Sequence, residues 1–222
     1  MEVLYEDKSL ILINKPAGLA TQTANVAQPD CVSLIRNHIK KEDPSVTNEP
    51  YVGVVHRLDQ PVAGLLVFAK DKKTAAALSS QVQKDIMNKY YHALVEGIIE
   101  TDGIELVDMM YKDAAASKAV ITDGSGKVPP NARIQEARLY CRTEKVLKDL
   151  NRTILSIRLV TGRFHQIRAQ LSHMGYPIVG DRKYGASSHY QQGIALIADS
   201  ISFVHPATGE KVEKAVDFSF CL

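Results

Sequence analysis

A short polar break separates two apolar runs in the stretch Gly53-Val54-Val55-His56-Arg57-Leu58-Asp59-Gln60-Pro61-Val62-Ala63-Gly64-Leu65-Leu66-Val67-Phe68-Ala69-Lys70. The runs at residues 51–55 and 65–69 predict two buried strands, because short apolar runs bounded by Pro and Gly are typical of such strands. The break carries His56, Arg57 and Asp59. Functional side chains concentrate on connections of this kind, since the scaffold holds them while they stay open to a ligand. A loop with a structural Arg–Asp pair fits the spacing equally well.

The composition indicates a globular chain with enough apolar residues for a substantial core. The chain has 222 residues, of which 45% are hydrophobic, and this favours a single domain over residues 1–222. The first residues do not resemble a signal peptide, and no apolar segment is long enough to span a bilayer. The three cysteines are far apart and fit neither a disulfide framework nor a metal cluster. We therefore expect a cytoplasmic protein.

The basic residues are unevenly distributed along the chain. The formal net charge is only +2, which by itself is weak evidence for a nucleic-acid partner. One stretch nevertheless concentrates arginine and lysine, at Arg152, Arg158, Arg163, Arg168, Arg182 and Lys183. This clustering predicts a local basic surface on a protein that is nearly neutral overall.

The pattern of the remaining chain predicts an α+β fold. Helical spacing predicts helices over 32–39 after Asp30, over 71–84 with Asp71 or Thr74 as cap, and over 166–171 before Gly175. Strands are predicted at 4–5, 10–13, 89–97, 137–145, 152–160, 194–197 and 201–204 and near residue 216, with a loop at 40–50 and hairpins within 101–135. Most strand neighbours are hairpin-connected. We therefore expect a mixed, largely antiparallel sheet flanked by a few helices and loops.

Asp59 is the strongest candidate for chemistry. A carboxylate fixed beside a cation is held ionised and can act as a covalent nucleophile or a base. Tyr91 is second, although tyrosines on an alternating strand are more often core residues. His56, His165 and Arg168 complete the polar set.

Other site types are disfavoured by the residues present. His165 and His173 do not have the spacing of a helical zinc pair, and no cysteine joins them. No G-x-S-x-G elbow is present for a serine hydrolase. An aspartate-based hydrolase lacks a second carboxylate at useful spacing. The glycine-tight turn at residues 161–164 has some likeness to a phosphate cradle, although a single glycine is weak evidence.

Four motifs, in order along nearly the whole chain, resemble those of the RluA-type pseudouridine synthases. They are His56-Arg57-Leu58-Asp59 with Gly64-Leu65-Leu66-Val67-Phe68-Ala69-Lys70 downstream, Lys89-x-Tyr91-x-Ala93-x-Val95-x-Gly97, Thr161-Gly162-Arg163-Phe164-His165-Gln166-Ile167-Arg168, and Tyr176-Pro177-Ile178-Val179-Gly180-Asp181-Arg182-Lys183-Tyr184-Gly185. One departure from the family pattern is Pro61-Val62-Ala63, where the family usually has Thr-Ser or Thr-Ala before the glycine. This departure changes the loop that follows Asp59.

The resemblance implies a pseudouridine synthase-like fold and a catalytic set. Asp59 would be the nucleophile, Tyr91 would stack on the target base, and Arg168 would form the ion pair that keeps Asp59 anionic. Ile167 would line the pocket, and Arg57 would enter the RNA where the uridine is flipped out. Further substrate contacts are expected from the polar and basic residues His56, Arg163, His165, Arg182 and Lys183.

The resemblance also implies the reaction and its partners. The expected activity isomerises a specific uridine of ribosomal or transfer RNA to pseudouridine and needs no metal or cofactor. RNA is the expected partner, with no membrane and no obligatory protein partner, so a monomer is expected. The chain is expected to start at the catalytic domain, without an S4-like domain. A catalytically silent RNA-binding module on the same fold is the alternative. The sequence leaves open which uridine is modified, and whether Asp59 attacks the ribose or the base.

Overall fold

Three α-helices and eleven β-strands form in the described part of the chain. The structure is a computed structural model that describes residues 1–25, 27–125 and 128–221. The helices are α1 (Cys31–Glu42), α2 (Lys72–Gln83) and α3 (Gln166–His173). The strands are β1 (Glu2–Glu6), β2 (Leu10–Lys15), β3 (Gly53–Val54), β4 (Ala63–Ala69), β5 (Asn88–Glu96), β6 (Ile104–Asp113), β7 (Lys118–Ile121), β8 (Gln135–Leu147), β9 (Arg152–Leu159), β10 (Leu196–Val204) and β11 (Lys211–Ala215).

The chain divides into two compact units. The first comprises residues 1–88 and 198–218, and the second comprises residues 89–197 and 219–222. The expectation of one domain over residues 1–222 stays a prediction. Gly126 and Lys127, within the region predicted to form hairpins, lie outside the described residues. No helix among the described residues has the length and apolar character that a membrane crossing requires.

Antiparallel strands build the first unit. β2 pairs with both β1 and β4, β3 pairs with β4, and β10 pairs with β11. Both faces of β2 are covered, since it is buried from Leu10 to Ile13. One apolar cluster joins strands to α2 through Leu10, Leu12, Leu65, Val67, Ala69, Leu78, Met87, Ile201 and Phe203. Each large apolar side chain buried in this way contributes about 1.5–3 kcal/mol, so the predicted core strands form the stable frame of this unit.

Both helices of the first unit begin at aspartate caps. The Asp30 side chain accepts a hydrogen bond from the Ser33 amide, and the Ser33 hydroxyl oxygen accepts one from the Asp30 amide, which completes a capping box. The Asp71 carboxylate accepts from the Thr74 amide in the same way. Caps of this kind contribute about 1 kcal/mol each. Asp30 and Asp71 are therefore confirmed as caps.

The second unit is an antiparallel sheet in the order β5-β9-β8-β6-β7, with α3 packed against it. A small core of Met110, Ala119, Ala137, Ala169 and Tyr184 joins the β6–β7 hairpin to α3 and to the following segment. Gly175 has a φ of +91°, so it ends α3 as predicted. The α+β class and the largely antiparallel pairing are confirmed.

Three local predictions are wrong. The loop predicted at 40–50 begins later, because α1 runs to Glu42 and its last turn holds Lys40 and Lys41, which suit the helix C-terminus. The strand predicted at 51–55 is reduced to β3. The two strands predicted at 194–197 and 201–204 are one strand, β10, because the backbone ladder continues through the polar residues that suggested a break.

Candidate functional site

Asp59 lies in a loop of the first unit whose neighbouring peptide groups are fixed on both sides. The Thr21 hydroxyl donates to the Leu58 carbonyl at 2.9 Å and accepts from the Leu58 amide at 3.2 Å. On the other side, the Gln60 carbonyl accepts from the Gly18 amide at 2.8 Å. Asp59 itself is half-buried. Its backbone position is thus determined by contacts with residues around forty positions away in the chain.

A fully buried lysine also supports this loop. The Lys15 ammonium donates to the carbonyls of Pro16, Leu19 and Gln60 at 3.0, 2.7 and 3.2 Å. Burial lowers the pKa of Lys15 to about 8, and the charges of Cys31 and Asp59 oppose that shift. Lys15 therefore combines a structural contact to the loop with a charge that attracts the Asp59 carboxylate.

Near neutral pH, the anion that acts on Lys15 is Asp59 and not Cys31. Burial raises the pKa of the Cys31 thiol to about 11, so this thiol is uncharged at pH 7. An ammonium in a low-dielectric environment interacts more strongly with a carboxylate than it would at the surface. Lys15 is therefore a cation that favours the ionised form of Asp59.

The residues after Asp59 form a tight turn that leads into β4. The Val62 amide donates to the Asp59 carbonyl at 3.0 Å, with Pro61 inside the turn and Val62 buried. Gly64 follows with a φ of +123°, and a Cβ there would lie 2.2 Å from the Ala198 carbonyl oxygen. Only glycine fits such a close backbone approach. The residues Pro61, Val62 and Ala63 thus lead from a hydrogen-bonded turn directly into β4.

His56 and Arg57 precede Asp59 in the same loop and differ in exposure. The Val67 amide donates to Nε2 of His56 at 3.2 Å, which ties the half-buried imidazole to β4. Arg57 is exposed. Their predicted roles in substrate binding stay predictions.

Arg168 and Asp181 form a buried, bidentate ion pair in the second unit. Nε of Arg168 donates to Oδ2 of Asp181 at 2.7 Å, and Nη2 donates to Oδ1 at 2.8 Å. The Arg168 side chain is 6% exposed and that of Asp181 is 1% exposed. The guanidinium also lies 5.0 Å from the centre of the Tyr184 ring. Arg168 is thus fixed in its own unit, and its predicted pairing with Asp59 stays a prediction.

His165 lies beside this pair and is neutral at physiological pH. Burial and then the positive charges of Arg168 and Lys183 lower its pKa to about 3. Its ring stacks on Phe164 with centroids 3.8 Å apart, and Nδ1 lies 2.9 Å from the Tyr184 hydroxyl. That hydroxyl accepts from the Ala119 amide, so its own hydrogen is available to Nδ1. His165 is therefore an uncharged acceptor of the Tyr184 hydroxyl hydrogen near neutral pH.

Tyr91 and Ile167 are buried in the second unit. Tyr91 is on β5 opposite Ile157 of β9 and is 5% exposed, as is Ile167 at the start of α3. Their predicted roles at the target base stay predictions.

Two of the three basic side chains expected to contact the substrate are anchored to backbone carbonyls. Nε of Arg163 donates to the Glu136 carbonyl at 2.9 Å, and Nζ of Lys183 donates to the Ser117 carbonyl at 3.0 Å. Arg182 is exposed in a 3₁₀ turn. The turn at 161–164 is not an open cradle, because the Arg163 amide donates to the Gln166 side chain. Phosphate contacts from this region would therefore come from side chains.

Sequence reasoning missed Lys15, Thr21 and Asp181. The available signal for Lys15 is that it ends an otherwise apolar strand, as a buried cation can. Thr21 carried no local signal. Asp181 lies in the fourth motif, and the available clue was that it is a carboxylate close to Arg168 in the sequence. Among the described residues, the His, Cys, Asp and Glu side chains form no group of three or more that could hold a metal ion.

Comparison with known sequences identifies a consistent set of relatives. A sequence model of the family described as RNA pseudouridylate synthase matches residues 9–173. Ribosomal large subunit pseudouridine synthase D of Pseudomonas aeruginosa is 31% identical, over 96% of this chain and 67% of that protein. The dual-specificity RNA pseudouridine synthase RluA of Vibrio vulnificus is also 31% identical, over 92% of this chain and 78% of that protein.

Solved structures show the same fold. Human RNA pseudouridylate synthase domain containing 4 superimposes with a TM-score of 0.75 at 22% identity, covering 98% of this chain and 88% of that chain. At this level of identity, the likeness concerns the fold. It agrees with the α+β architecture that the sequence predicted.

Proposed function

This chain belongs to the RNA pseudouridylate synthase family, and from that premise we propose that Asp59 is the nucleophile with which it converts a uridine of RNA to pseudouridine. The protein is an RNA pseudouridine synthase, an isomerase. In the reaction, the bond between C1′ of the ribose and N1 of the base breaks, and a bond between C1′ and C5 forms. N1 gains a proton and C5 loses one, so the reaction balances without a redox partner.

The loop that carries Asp59 is the observation that supports this role most strongly. Thr21 binds the carbonyl of Leu58, the residue before Asp59, and Gly18 and Lys15 bind the carbonyl of Gln60, the residue after it. A nucleophile reacts faster when it is held in place before the substrate arrives, because the entropy cost of orienting it is then already met by folding. Lys15 also favours the carboxylate over the acid, and the carboxylate is the nucleophilic form.

Tyr91 and Arg168 are the proposed partners of Asp59 in catalysis. In this proposal the Tyr91 ring stacks on the target base, and Arg168 stabilises the negative charge of Asp59. The two hydrogen bonds between Arg168 and Asp181, here called the fork, fix the plane of the guanidinium. This suits an arginine that must keep one orientation. Ile167 provides apolar surface beside it.

The remaining predicted residues are proposed to bind the RNA. Reaching C1′ and C5 requires the uridine to leave the stack, and Arg57 is proposed to enter the space that it leaves. Arg163, Arg182 and Lys183 are proposed to contact phosphates, which provide affinity but little sequence choice. His56 and His165 are proposed to offer hydrogen bonds, since His165 is uncharged at neutral pH.

Ribosomal RNA is the first substrate class to test, because the similar protein of Pseudomonas aeruginosa is named for the large ribosomal subunit. Transfer RNA is the second class. We propose a monomer that acts in the cytoplasm, where the widely spaced cysteines would stay reduced.

The test uses RNA labelled with [5-³H]uridine, prepared from cells that lack this protein. The purified protein is expected to release tritium, because only substitution at C5 frees that label. Sequencing-based pseudouridine mapping of the same RNA should then show at least one uridine converted. RNA binding without tritium release from either ribosomal or transfer RNA would instead support the silent binding module.

A further inference from the structure

A basic cavity in the second unit lies outside the residues assigned above to catalysis. Its volume is about 230 Å³. The end of β6, the segment that enters β8 and the residues just before α3 surround it. The lining residues are Met110, Tyr111, Lys112, Asn131, Ala132, Arg133, Gln135, Arg163 and Phe164.

Three cations line this cavity without a compensating acid. They are Lys112, Arg133 and Arg163, and no carboxylate is among the described residues that line it. Within the described ranges, none of the three is paired with an aspartate or glutamate. Cations collected in a concave surface repel one another and concentrate positive potential there. Such a site favours an anionic ligand.

Two of the cations are held in place by neutral contacts. Arg163 donates through Nε to the Glu136 carbonyl at 2.9 Å, which leaves its two terminal nitrogens unused by that bond. The Lys112 ammonium lies 4.6 Å from the centre of the Phe164 ring, a cation–π geometry. These contacts orient the charges but do not neutralise them. The ordering cost of ligand binding is therefore reduced.

The size and the walls of the cavity limit the ligand. Sites for drug-sized molecules span about 300–1,000 Å³, so this cavity suits one small group such as a phosphodiester with its ribose. Met110, Tyr111 and Phe164 supply apolar surface beside the cations. Grooves for single-stranded nucleic acid combine cationic and aromatic side chains in this way.

We propose that this cavity binds one phosphodiester of the RNA substrate away from the target uridine, with Lys112, Arg133 and Arg163 on the phosphate and the adjoining ribose on the apolar wall. The inference rests on the proposed function, since it assumes an RNA substrate. It adds a contact from the β6–β7 hairpin and from the segment before β8, which none of the motifs covers.

The test measures RNA affinity and activity separately. The full chain is compared with the double variant Lys112→Ala/Arg133→Ala, whose two side chains are exposed. Lys145→Ala combined with Lys148→Ala is the matched control, because it removes two exposed charges elsewhere in the same unit. The probe is a fluorescein-labelled 20-nucleotide oligouridylate, and anisotropy is recorded from 50 to 200 mM KCl.

We expect the cavity variant to bind roughly tenfold more weakly than the control at 150 mM salt, with a salt slope lower by roughly 0.7 for each cation removed. In tritium release from labelled ribosomal RNA, KM should rise with kcat nearly unchanged, since a distant phosphate contact stabilises ground state and transition state alike.

Equal affinity and equal salt slope in the cavity variant and the control would overturn the inference, as would failure of the wild-type protein to bind the probe. Loss of tritium release by the wild-type protein with the binding difference intact would count against the proposed function alone.

Discussion

The loop that carries Asp59 and the helix that carries Arg168 are held in place by different kinds of contact. The loop rests on a buried ammonium whose partners are backbone carbonyls. The helix is fixed by a buried guanidinium that is paired with a carboxylate. A buried lysine whose hydrogen-bond partners are all carbonyls loses its proton more readily than a solvated one, whereas an arginine stays charged at every accessible pH. The Asp59 loop should therefore respond to pH near 8, and the Arg168 fork should not.

The largest expected loss of stability comes from breaking the charged fork. Asp181→Asn leaves the Arg168 charge buried without its counter-ion, which typically costs about 3–5 kcal/mol of unfolding free energy. Urea denaturation at pH 7 measures the change. Asp149→Asn, at an exposed turn position, is the control and should be nearly neutral. A loss below about 1 kcal/mol for Asp181→Asn would show that the fork does not stabilise the unit.

The next largest loss should come from the turn after Asp59. Gly64→Ala places a methyl group 2.2 Å from the Ala198 carbonyl oxygen at a φ of +123°, so strain and overpacking together should cost roughly 2–4 kcal/mol. Gly103→Ala is the matched control, because nothing lies within 4 Å of a Cβ there. Urea midpoints of the two variants give the comparison. Equal midpoints would contradict the close approach.

Lys15 should give the loop a pH dependence that the fork lacks. Its folded-state pKa of about 8 lies below the value near 10.4 of an unfolded lysine. Between these values the unfolded chain binds more protons, so the stability contributed by Lys15 rises with pH. The unfolding free energy of the wild type relative to Lys15→Met should thus rise by roughly 2 kcal/mol from pH 8 to pH 10. A difference that is flat with pH would contradict the burial of a charged ammonium.

The smallest effect is expected at His165, on the acidic side. Its folded-state pKa of about 3 lies below the ordinary value near 6.5, so stability is complete above pH 6.5 and declines as the pH falls. The wild type should lose about 1 kcal/mol more than His165→Asn between pH 7 and pH 5.5. Asparagine is chosen because it tolerates the left-handed backbone found there, with a φ of +51°. Parallel pH profiles would show that His165 is not buried enough to resist protonation.

The features that could be predicted from the sequence are those with local causes. Asp30, Asp71 and Gly175 act on residues within three or four positions, so their type and place predict the helix ends. The alternation of apolar residues predicted most strands for the same reason. The merged strand β10 was missed because its two polar residues look like a break when partner strands are unknown.

The contacts that support the candidate site were less predictable because they join distant positions. Lys15 reaches the Gln60 carbonyl across 45 positions, and no local pattern marks a carbonyl as the partner of a cation. Arg168 was identified by resemblance, but its Asp181 partner was not, because the motif shows both residues without their geometry. Side-chain partners of this kind follow from the folded backbone.

The most direct test of the account compares Asp59→Asn with the wild type. Tritium release from [5-³H]uridine-labelled RNA and affinity for the same RNA are measured side by side. The asparagine keeps the shape of the loop but cannot act as a nucleophile, so we predict a loss of at least about 10³-fold in kcat with RNA affinity within about threefold of the wild type. Turnover within tenfold of the wild-type rate would contradict the assignment of Asp59 as the nucleophile.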